Sequence, residues 1–169
     1  DDIFDWTLTG DSTPTSNTGP STGSGHGGGA FIHIESNGQT EGAYAAITSS
    51  GTGCGLYVDY HMYGGGIGTL MVSSKDAAEG DDAAWVPVWR KEGEQGDSWQ
   101  AATIYSAWGS YYQVTATRGG GIRGDIAIDN LNVMWCSPAP TASPTNVGDT
   151  NMPTASPTAA PTAAPTDAP

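Results

Sequence analysis

One nine-residue segment, GLYVDYHMY from Gly55 to Tyr63, constrains the fold more than any other part of the chain. Its apolar side chains recur at every second position, which is the spacing of one face of a β-strand; they are Leu56, Val58, Tyr60 and Met62. Glycines follow at 64–66, and glycine reaches positive φ at little steric cost. Since the chain resumes as GTLMVS from Gly68 to Ser73, we predict a β-hairpin over residues 55–73.

The other apolar segments before Cys136 are also short. They predict strands at residues 30–35, 85–89, 99–105, 111–117 and 125–135. Helices are disfavoured because the chain has 25 Gly and 11 Pro. Each Gly in a helix interior costs about 1 kcal/mol and each Pro about 3 kcal/mol. Many short strands joined by Gly-rich turns are typical of a β-sandwich or a barrel.

The last of these strands carries a break in its pattern. Its core candidates are Ile126, Ile128, Leu131, Val133 and Trp135. The alternation changes parity between Ile128 and Leu131. A β-bulge inserts one residue and shifts parity in this way, so we predict a bulge or bend near Asp129 and Asn130.

Charge and hydropathy exclude several classes of partner. The chain has 18 acidic and 5 basic residues, a net charge of −13. Nucleic acid and anionic membrane surfaces both bind clustered Lys and Arg, so we expect neither as a partner. No apolar run approaches the roughly 18–20 residues of a spanning helix, so we expect no direct membrane insertion by this chain. No signal-peptide pattern is present, so we expect any targeting signal to have been removed or to lie outside this chain.

Composition changes abruptly after Cys136. Residues 137–169 consist mainly of Pro, Thr, Ala and Ser, with no aromatic residue, Lys or Arg. Such a segment buries too little apolar surface to offset its ordering entropy, so we predict a disordered or extended tail after a domain of residues 1–136. Two interpretations of the tail stay open, an O-glycosylated stalk of a secreted glycoprotein or an unmodified linker.

The two cysteines, Cys54 and Cys136, form no CxxC motif, so a zinc or thioredoxin-like site is not indicated. They are either partners in one long-range disulfide or two unrelated buried thiols. The low lysine content, the Thr/Pro-rich tail and the lack of a nucleophile motif favour an extracellular protein, and with it the disulfide.

Five fragments of the chain match, in order, the pattern of a known family. They are Phe4-Asp5-Trp6, the stretch from Thr18 to Glu35, CGLYVDYHMYGGGIGTLMV from Cys54 to Val72, the stretch from Trp89 to Trp99, and GDIAIDN from Gly124 to Asn130 with Cys136 after it. With these residues the chain resembles an extracellular MAM domain, the module named after meprin, the A5 antigen (neuropilin) and the mu-type receptor tyrosine phosphatase. The resemblance covers most of residues 1–136.

The resemblance implies an all-β jelly-roll β-sandwich of two antiparallel sheets, with Cys54 paired to Cys136. It also implies a non-catalytic adhesion or protein-recognition role in an extracellular protein, either secreted or on the cell surface with a membrane-associated parent. The chain departs from the family at its start. The usual first strand, with two further cysteines, would precede Asp1, so we expect it to be supplied upstream or dispensed with.

Asp129 is the candidate metal ligand. It follows Ile128 in an apolar strand, where a carboxylate requires partners. Jelly-roll modules similar to this one often bind a structural Ca²⁺ near the end of the last strand. Calcium takes about six to eight oxygen ligands, and the candidate co-ligands are Asp1, Asp2, Asp5 and the carbonyl groups around Thr22. The alternative is an Asp129 carboxylate that accepts hydrogen bonds from nearby backbone N–H groups.

No motif indicates catalysis. The chain has no G-x-S-x-G, and the glycines at 119–121 precede a strand rather than a helix, so they are not a phosphate loop. The histidines are isolated in sequence and lack metal-ligand spacing; they are His26, His33 and His61. We therefore expect a binding module rather than an enzyme.

Two charged motifs have structural explanations that we favour. Arg123-Gly124-Asp125 is the RGD tripeptide that integrins recognise, but it opens a predicted strand. An acidic run predicts a solvated loop, with weak cation binding as the alternative; it comprises Asp76, Glu79, Asp81 and Asp82.

Two binding functions stay open. Contacts with a protein, including another copy of this chain, are the first expectation. The alternative is a carbohydrate-binding module, because exposed Trp and Tyr stack on sugar rings and some jelly rolls bind glycans. The candidate residues for glycan binding surround a predicted turn at Gly109-Ser110 and are Trp108, Tyr111 and Tyr112. Trp89 and Trp99 are expected in the core.

Overall fold

Antiparallel β-strands make up the fold. The computed structural model describes residues 6–9, 17–21 and 24–136. Within them lie eight strands and a single short 3-10 turn, Ala77–Glu79. The strands are β1 (Thr7–Thr9), β2 (Phe31–Ile34), β3 (Tyr44–Thr48), β4 (Gly53–Met62), β5 (Thr69–Asp76), β6 (Val86–Glu92), β7 (Gly96–Thr117) and β8 (Ile126–Met134). The prediction of an all-β fold is confirmed.

The long strand β7 connects the two layers of a sandwich. Residues 96–105 pair with β4, and residues 110–117 pair with β3 and β5. The front layer therefore runs β1-β2-β8-β4-β7, and the back layer runs β3-β7-β5-β6. The predicted β-sandwich is confirmed, and its two layers share one strand.

Gly109 lies where β7 passes from one layer to the other. Two strands with a turn at Gly109-Ser110 were predicted here, whereas the structure has one 22-residue strand that bends. Gly109 has φ 85°, a conformation that L-residues rarely adopt. Ser110 donates a side-chain hydrogen bond to the Ala107 carbonyl at 2.9 Å, which closes the bend locally.

The predicted hairpin over residues 55–73 is wrong, because β4 and β5 do not pair with each other. Strand β7 lies between them, with Ala102 opposite Val58 of β4 and Val114 opposite Val72 of β5. The glycines between β4 and β5 serve a close approach instead of a hairpin turn. A Cβ at Gly68 would overlap the backbone of residues 117–119.

The hydrophobic core lies between the two layers. Strand β4 contributes the four apolar residues that the period of two predicted, and each is at most 3% exposed. The residues that meet them from other strands are Ile34, Ala45, Leu70, Val72, Ile104, Tyr112, Val114, Ala116, Ile126 and Ile128. Trp89 of β6 packs edge-to-face on Tyr60, with ring centroids 5.3 Å apart.

Strand β8 follows its prediction only in its first half. Ile126 and Ile128 are buried, but Leu131 is 37% and Trp135 78% exposed, so placing these last two in the core was wrong. The predicted bulge is present, because the pairing with β4 shifts register beside Asp129. Asn130 has φ 49° at this point. Beyond the bulge, Val133 lies opposite Leu56 of β4 and packs against the core, whereas Leu131 and Trp135 line a cleft at its edge.

A disulfide closes the end of the sandwich where β4 begins and β8 ends. It joins Cys54 to Cys136, with the Cα atoms 5.7 Å apart, as the resemblance implied. The bond ties the segment that follows β8 to β4, the neighbouring strand of the front layer.

We expect loss of this disulfide to destabilise the domain substantially. The bond links residues 82 apart in sequence, and closing a loop of that length in the unfolded chain is worth about 4–5 kcal/mol in the chain-entropy account. The Cys54→Ser/Cys136→Ser double variant should lose about that much unfolding free energy in guanidinium denaturation. A loss below about 1 kcal/mol would contradict the expectation.

Candidate functional site

Exposed aromatic side chains gather at the end of the sandwich that the disulfide closes. Tyr105, Trp108 and Trp135 are 69%, 57% and 78% exposed, respectively. Tyr105 and Trp108 precede the bend of β7, and Trp135 follows β8. Since β7 and β8 flank β4 in the front layer, both segments reach the same end. We call these three residues the aromatic end.

Hydrogen bonding and strand pairing position the aromatic end. The Trp108 indole N–H donates to the Cys136 carbonyl at 3.2 Å, so the indole is held beside the disulfide. Tyr105 is paired with Gly55 in β4. These large side chains therefore project from backbone that neighbouring strands and a covalent bond hold in place.

Two clefts adjoin the aromatic end, and Trp135 and Thr52 line both. The first, of about 350 Å³, opens between the β3–β4 loop and β8 and reaches Leu56 and Tyr112. The second, of about 310 Å³, lies between Trp108 and Trp135. We call it the Trp108–Trp135 cleft; its other lining residues are Thr52, Gly53, Asp76, Ala77, Ala78 and Gly109.

The aromatic group predicted around Gly109 is only partly present. Trp108 is exposed as predicted, but Tyr112 is buried at 1% exposure and Tyr111 is half-buried. Trp135, rather than Tyr112, lines the cleft together with Trp108. Sequence reasoning missed Trp135 because its alternation in β8 predicts a core position, whereas Trp135 lies just beyond the end of β8 and is 78% exposed.

The acidic run from Asp76 to Asp82 begins at the Trp108–Trp135 cleft, which Asp76 lines. Asp76 caps the 3-10 turn by accepting a hydrogen bond from the Ala78 N–H at 2.8 Å. Glu79, Asp81 and Asp82 are exposed, which agrees with the predicted solvated loop. The turn thereby holds the Asp76 carboxylate at the cleft, and the other three acids follow in the exposed loop.

A buried carboxylate lies on the outer face of the front layer. Asp59 is 1% exposed and accepts hydrogen bonds of 2.7 Å from Tyr57 Oη and Asn130 Nδ2. Its Oδ2 also lies 2.7 Å from Nδ1 of His26. Desolvation raises the pKa of Asp59, but these hydrogen bonds and the nearby imidazole outweigh it, so the pKa is lowered. Asp59 thus fastens the loop that carries His26 to the sheet.

Two histidines are buried on the same outer face. His33 of β2 and His61 of β4 both pair with Ala127 of β8, and each is 2% exposed. Burial lowers the pKa of both. The Asp97 carboxylate, 3.3 Å from Nε2 of His61, offsets part of that effect.

Asp129 lies beside this cluster, paired with Asp59 across the strands. Its Oδ1 accepts a hydrogen bond from the Asn130 N–H at 2.7 Å. The candidate co-ligands Asp1, Asp2, Asp5 and Thr22 lie outside the described residues. Within the part of the chain that the structure describes, no group of three or more His, Cys, Asp or Glu side chains could hold a metal ion. A calcium site at Asp129 therefore stays a prediction.

The RGD tripeptide has a structural role in this fold. Asp125 is fully buried, and its Oδ1 accepts a hydrogen bond from the Ser36 N–H at 2.8 Å. Its own N–H donates to Thr18 Oγ1 at 2.9 Å. An integrin could not reach this carboxylate without local unfolding.

The architecture is that of a β-sandwich domain. Residues 1–137 match the family model described as MAM domain, meprin/A5/mu. The chain belongs to the MAM domain family.

Similar proteins include MAM domain-containing protein 2 of Homo sapiens, 37% identical over 127 residues, which covers 70% of this chain and 18% of that protein. Another is the MAM domain-containing glycosylphosphatidylinositol anchor protein 2 of Mus musculus, 33% identical over 154 residues, with 78% of this chain and 16% of that protein covered. The chain thus spans less than a fifth of the length of these curated relatives.

A solved structure shares the fold at low sequence identity. The K2 adhesin domain of Lys-gingipain superposes with a TM-score of 0.58 at 13% identity, covering 79% of this chain and 85% of that one. In the residues described for this chain, no helix is long and apolar enough to cross a membrane.

We expect the domain to lose stability on mild acidification. An unfolded histidine titrates near pH 6.5, and the native pKa values of His33 and His61 are lower. Below about pH 6.5 the unfolded state therefore binds more protons, and the unfolding free energy falls as pH decreases. Urea denaturation at pH 7.5 and 5.5 measures the loss, which should be smaller in a His33→Gln/His61→Gln variant.

Asp59 should add a second loss at lower pH. Its native pKa is lowered, so its contribution to the unfolding free energy is present above about pH 4 and is lost as pH falls further.

For the histidine prediction, an equal loss of unfolding free energy between pH 7.5 and 5.5 in the wild type and the His33→Gln/His61→Gln variant would contradict the assignment to His33 and His61.

If the domain binds calcium at Asp129, we expect a stability gain that depends on that carboxylate. Calcium at 100 times its Kd should add about 2.7 kcal/mol to the unfolding free energy of the wild type. Asp129→Asn should remove the gain, whereas Asp82→Asn, a change of the same chemistry in the exposed loop, should keep it. Equal gains in all three proteins would show that calcium only screens the surface acids.

Proposed function

We propose that this MAM domain is a non-catalytic extracellular module of the adhesion type, and that it contacts another protein through the aromatic end. Its family membership supports the class of function. A relative named as a glycosylphosphatidylinositol anchor protein supports a location at the cell surface or in secreted proteins. The composition of residues 137–169 supports a stalk, which would carry the domain away from its anchor.

The single observation that carries the proposal is the exposure of Tyr105, Trp108 and Trp135 together at one end of the domain. Aromatic side chains dominate the energetics of protein interfaces, because they bury large area at small conformational cost. Trp135 exposes 78% of its surface next to two clefts, so a partner that covers it would remove more apolar area from water than at other exposed sites.

Another copy of the domain is the first partner to test. A net charge of −13 opposes such an association at low ionic strength. Salt or calcium screens this repulsion, so association should strengthen as either is added. Several such domains along one parent protein would gain avidity without high affinity at each site.

Sedimentation velocity across salt and calcium concentrations tests this function. We expect the wild-type chain to associate at high protein concentration and Trp135→Ala to associate less, because its contact area is smaller. Ile122→Ala is the matched control: Ile122 is 54% exposed, but it lies in the loop at the opposite end of the strands. Association that Trp135→Ala leaves unchanged would contradict a role for the aromatic end.

A glycan is the second candidate ligand, favoured by the side chains of Trp108 and Trp135 in the cleft between them. Aromatic rings stack on sugar rings. A glycan array probed with the wild-type and Trp135→Ala proteins separates the two candidates. Specific sugar binding that the substitution abolishes, in a chain that stays monomeric under every condition, would replace protein recognition by carbohydrate binding.

A further inference from the structure

The charges of the domain are distributed unevenly around the Trp108–Trp135 cleft. Asp76 lines the cleft, and the exposed Glu79, Asp81 and Asp82 follow within six residues. Lys75 is the basic residue nearest to them in sequence. Its ammonium group lies 5.3 Å from the centroid of the Trp85 ring and donates to the Asp81 carbonyl at 3.2 Å. The acids of this loop therefore outnumber its one base, which is already engaged.

The two tryptophans that line the cleft also favour a bound cation. The π face of an indole carries partial negative charge and attracts ammonium and guanidinium groups, and tryptophan does so best among aromatic residues. Trp108 is held in place by its hydrogen bond to the Cys136 carbonyl. Two indoles and the Asp76 carboxylate, with three exposed acids following it in sequence, form a surface whose electrostatic complement is a positive charge.

The size and the remaining lining of the cleft indicate what carries that charge. Between the indoles the cleft is lined by small residues, namely Gly53, Ala77, Ala78 and Gly109. At about 310 Å³ it is at the lower end of the range of ligand pockets. An arginine fits these features, because its aliphatic stem packs on apolar surface while its planar guanidinium stacks on aromatic faces.

We propose that the Trp108–Trp135 cleft binds an arginine side chain from an exposed, positively charged segment of a different protein. The inference rests on the proposed protein-recognition function and specifies the chemistry of the partner. A different protein is the expected source of the arginine, because this chain has only 5 basic against 18 acidic residues, and two of its three arginines already have partners within the chain. Arg118 is buried and donates to the Ser36 carbonyl at 2.8 Å, and Arg90 pairs with Glu92 at 3.0 Å.

The test measures binding of a defined peptide by NMR. The probe is a seven-residue peptide with two arginines among glycine and serine, compared with its citrulline analogue, which keeps the shape and removes the charge. Titration into ¹⁵N-labelled full chain should shift the indole N–H signals of Trp108 and Trp135 and the amide signals of Ala77 and Ala78. The citrulline peptide should produce no comparable shifts.

Substitutions then assign the contribution of each part of the cleft. Trp135→Ala should weaken binding about two- to fivefold, the range of a single cation–π contact. Asp81→Asn/Asp82→Asn should weaken it about threefold at low ionic strength, and less in high salt. Glu41→Gln/Glu94→Gln is the matched control, because it removes the same net charge from exposed positions elsewhere and should leave binding unchanged.

Three outcomes would overturn the inference. Equal weakening by both acidic double variants would show attraction to the overall charge rather than to this cleft. Binding of the citrulline peptide as tight as that of the arginine peptide would show that the cleft does not select a cation. The third outcome is that the arginine peptide does not bind, while Trp135→Ala still reduces the association between copies seen in sedimentation velocity. That result would remove this inference and leave the proposed function intact.

Discussion

Backbone pairing along β7 is the interaction on which the rest of the structure depends. Its 22 residues form hydrogen bonds with β4 in the front layer and with β3 and β5 in the back layer. The two layers are thereby held in a fixed relation, and the core between them is closed on one side by a single strand. The bend at Gly109 also sets where Trp108 leaves the sheet, so the same feature that joins the layers positions the aromatic end.

Strand β4 is buried on both faces, but one face is apolar and the other carries polar side chains. The inner face is apolar and packs in the core through Leu56, Val58 and neighbouring residues. The outer face carries Asp59 and His61, whose burial requires polar partners. Tyr57, Asn130 and the loop with His26 supply them for Asp59. The hydrogen bonds that offset the desolvation of Asp59 therefore also attach that loop to the sheet.

The ends of the sandwich are the natural place for recognition in this domain. Strand pairing and core packing engage the inner faces of the two layers, and the loop with His26 covers part of the outer face of the front layer. At the end closed by the disulfide, by contrast, large aromatic side chains before the bend of β7 and just after β8 are exposed to solvent. The disulfide limits motion of the segments that carry them. An exposed aromatic surface results, with the Asp76 carboxylate in the cleft beside it.

The sequence by itself determined the class of fold, most of the strands and one face of the core. A period of two over residues 56–62 depends only on the alternation of side chains along a strand, and that alternation is local. The pairing of strands was not determined in this way. The hairpin of β4 with β5 and the division of β7 into two strands were both wrong, because glycine is as compatible with a bend or a close backbone approach as with a turn.

The candidate site depended most on tertiary structure. Trp135 follows the alternation of a core residue, but it lies just beyond the end of β8, and no local pattern shows that the core ends before it. Asp59 stood out in the sequence as a charge within an apolar strand, but its partners come from residues 33 and 71 positions away. The Trp108–Trp135 cleft likewise joins segments from β4, β5, β7 and β8. Contacts between residues so distant in sequence follow from how the strands pair, and strand pairing is a property of the whole folded chain.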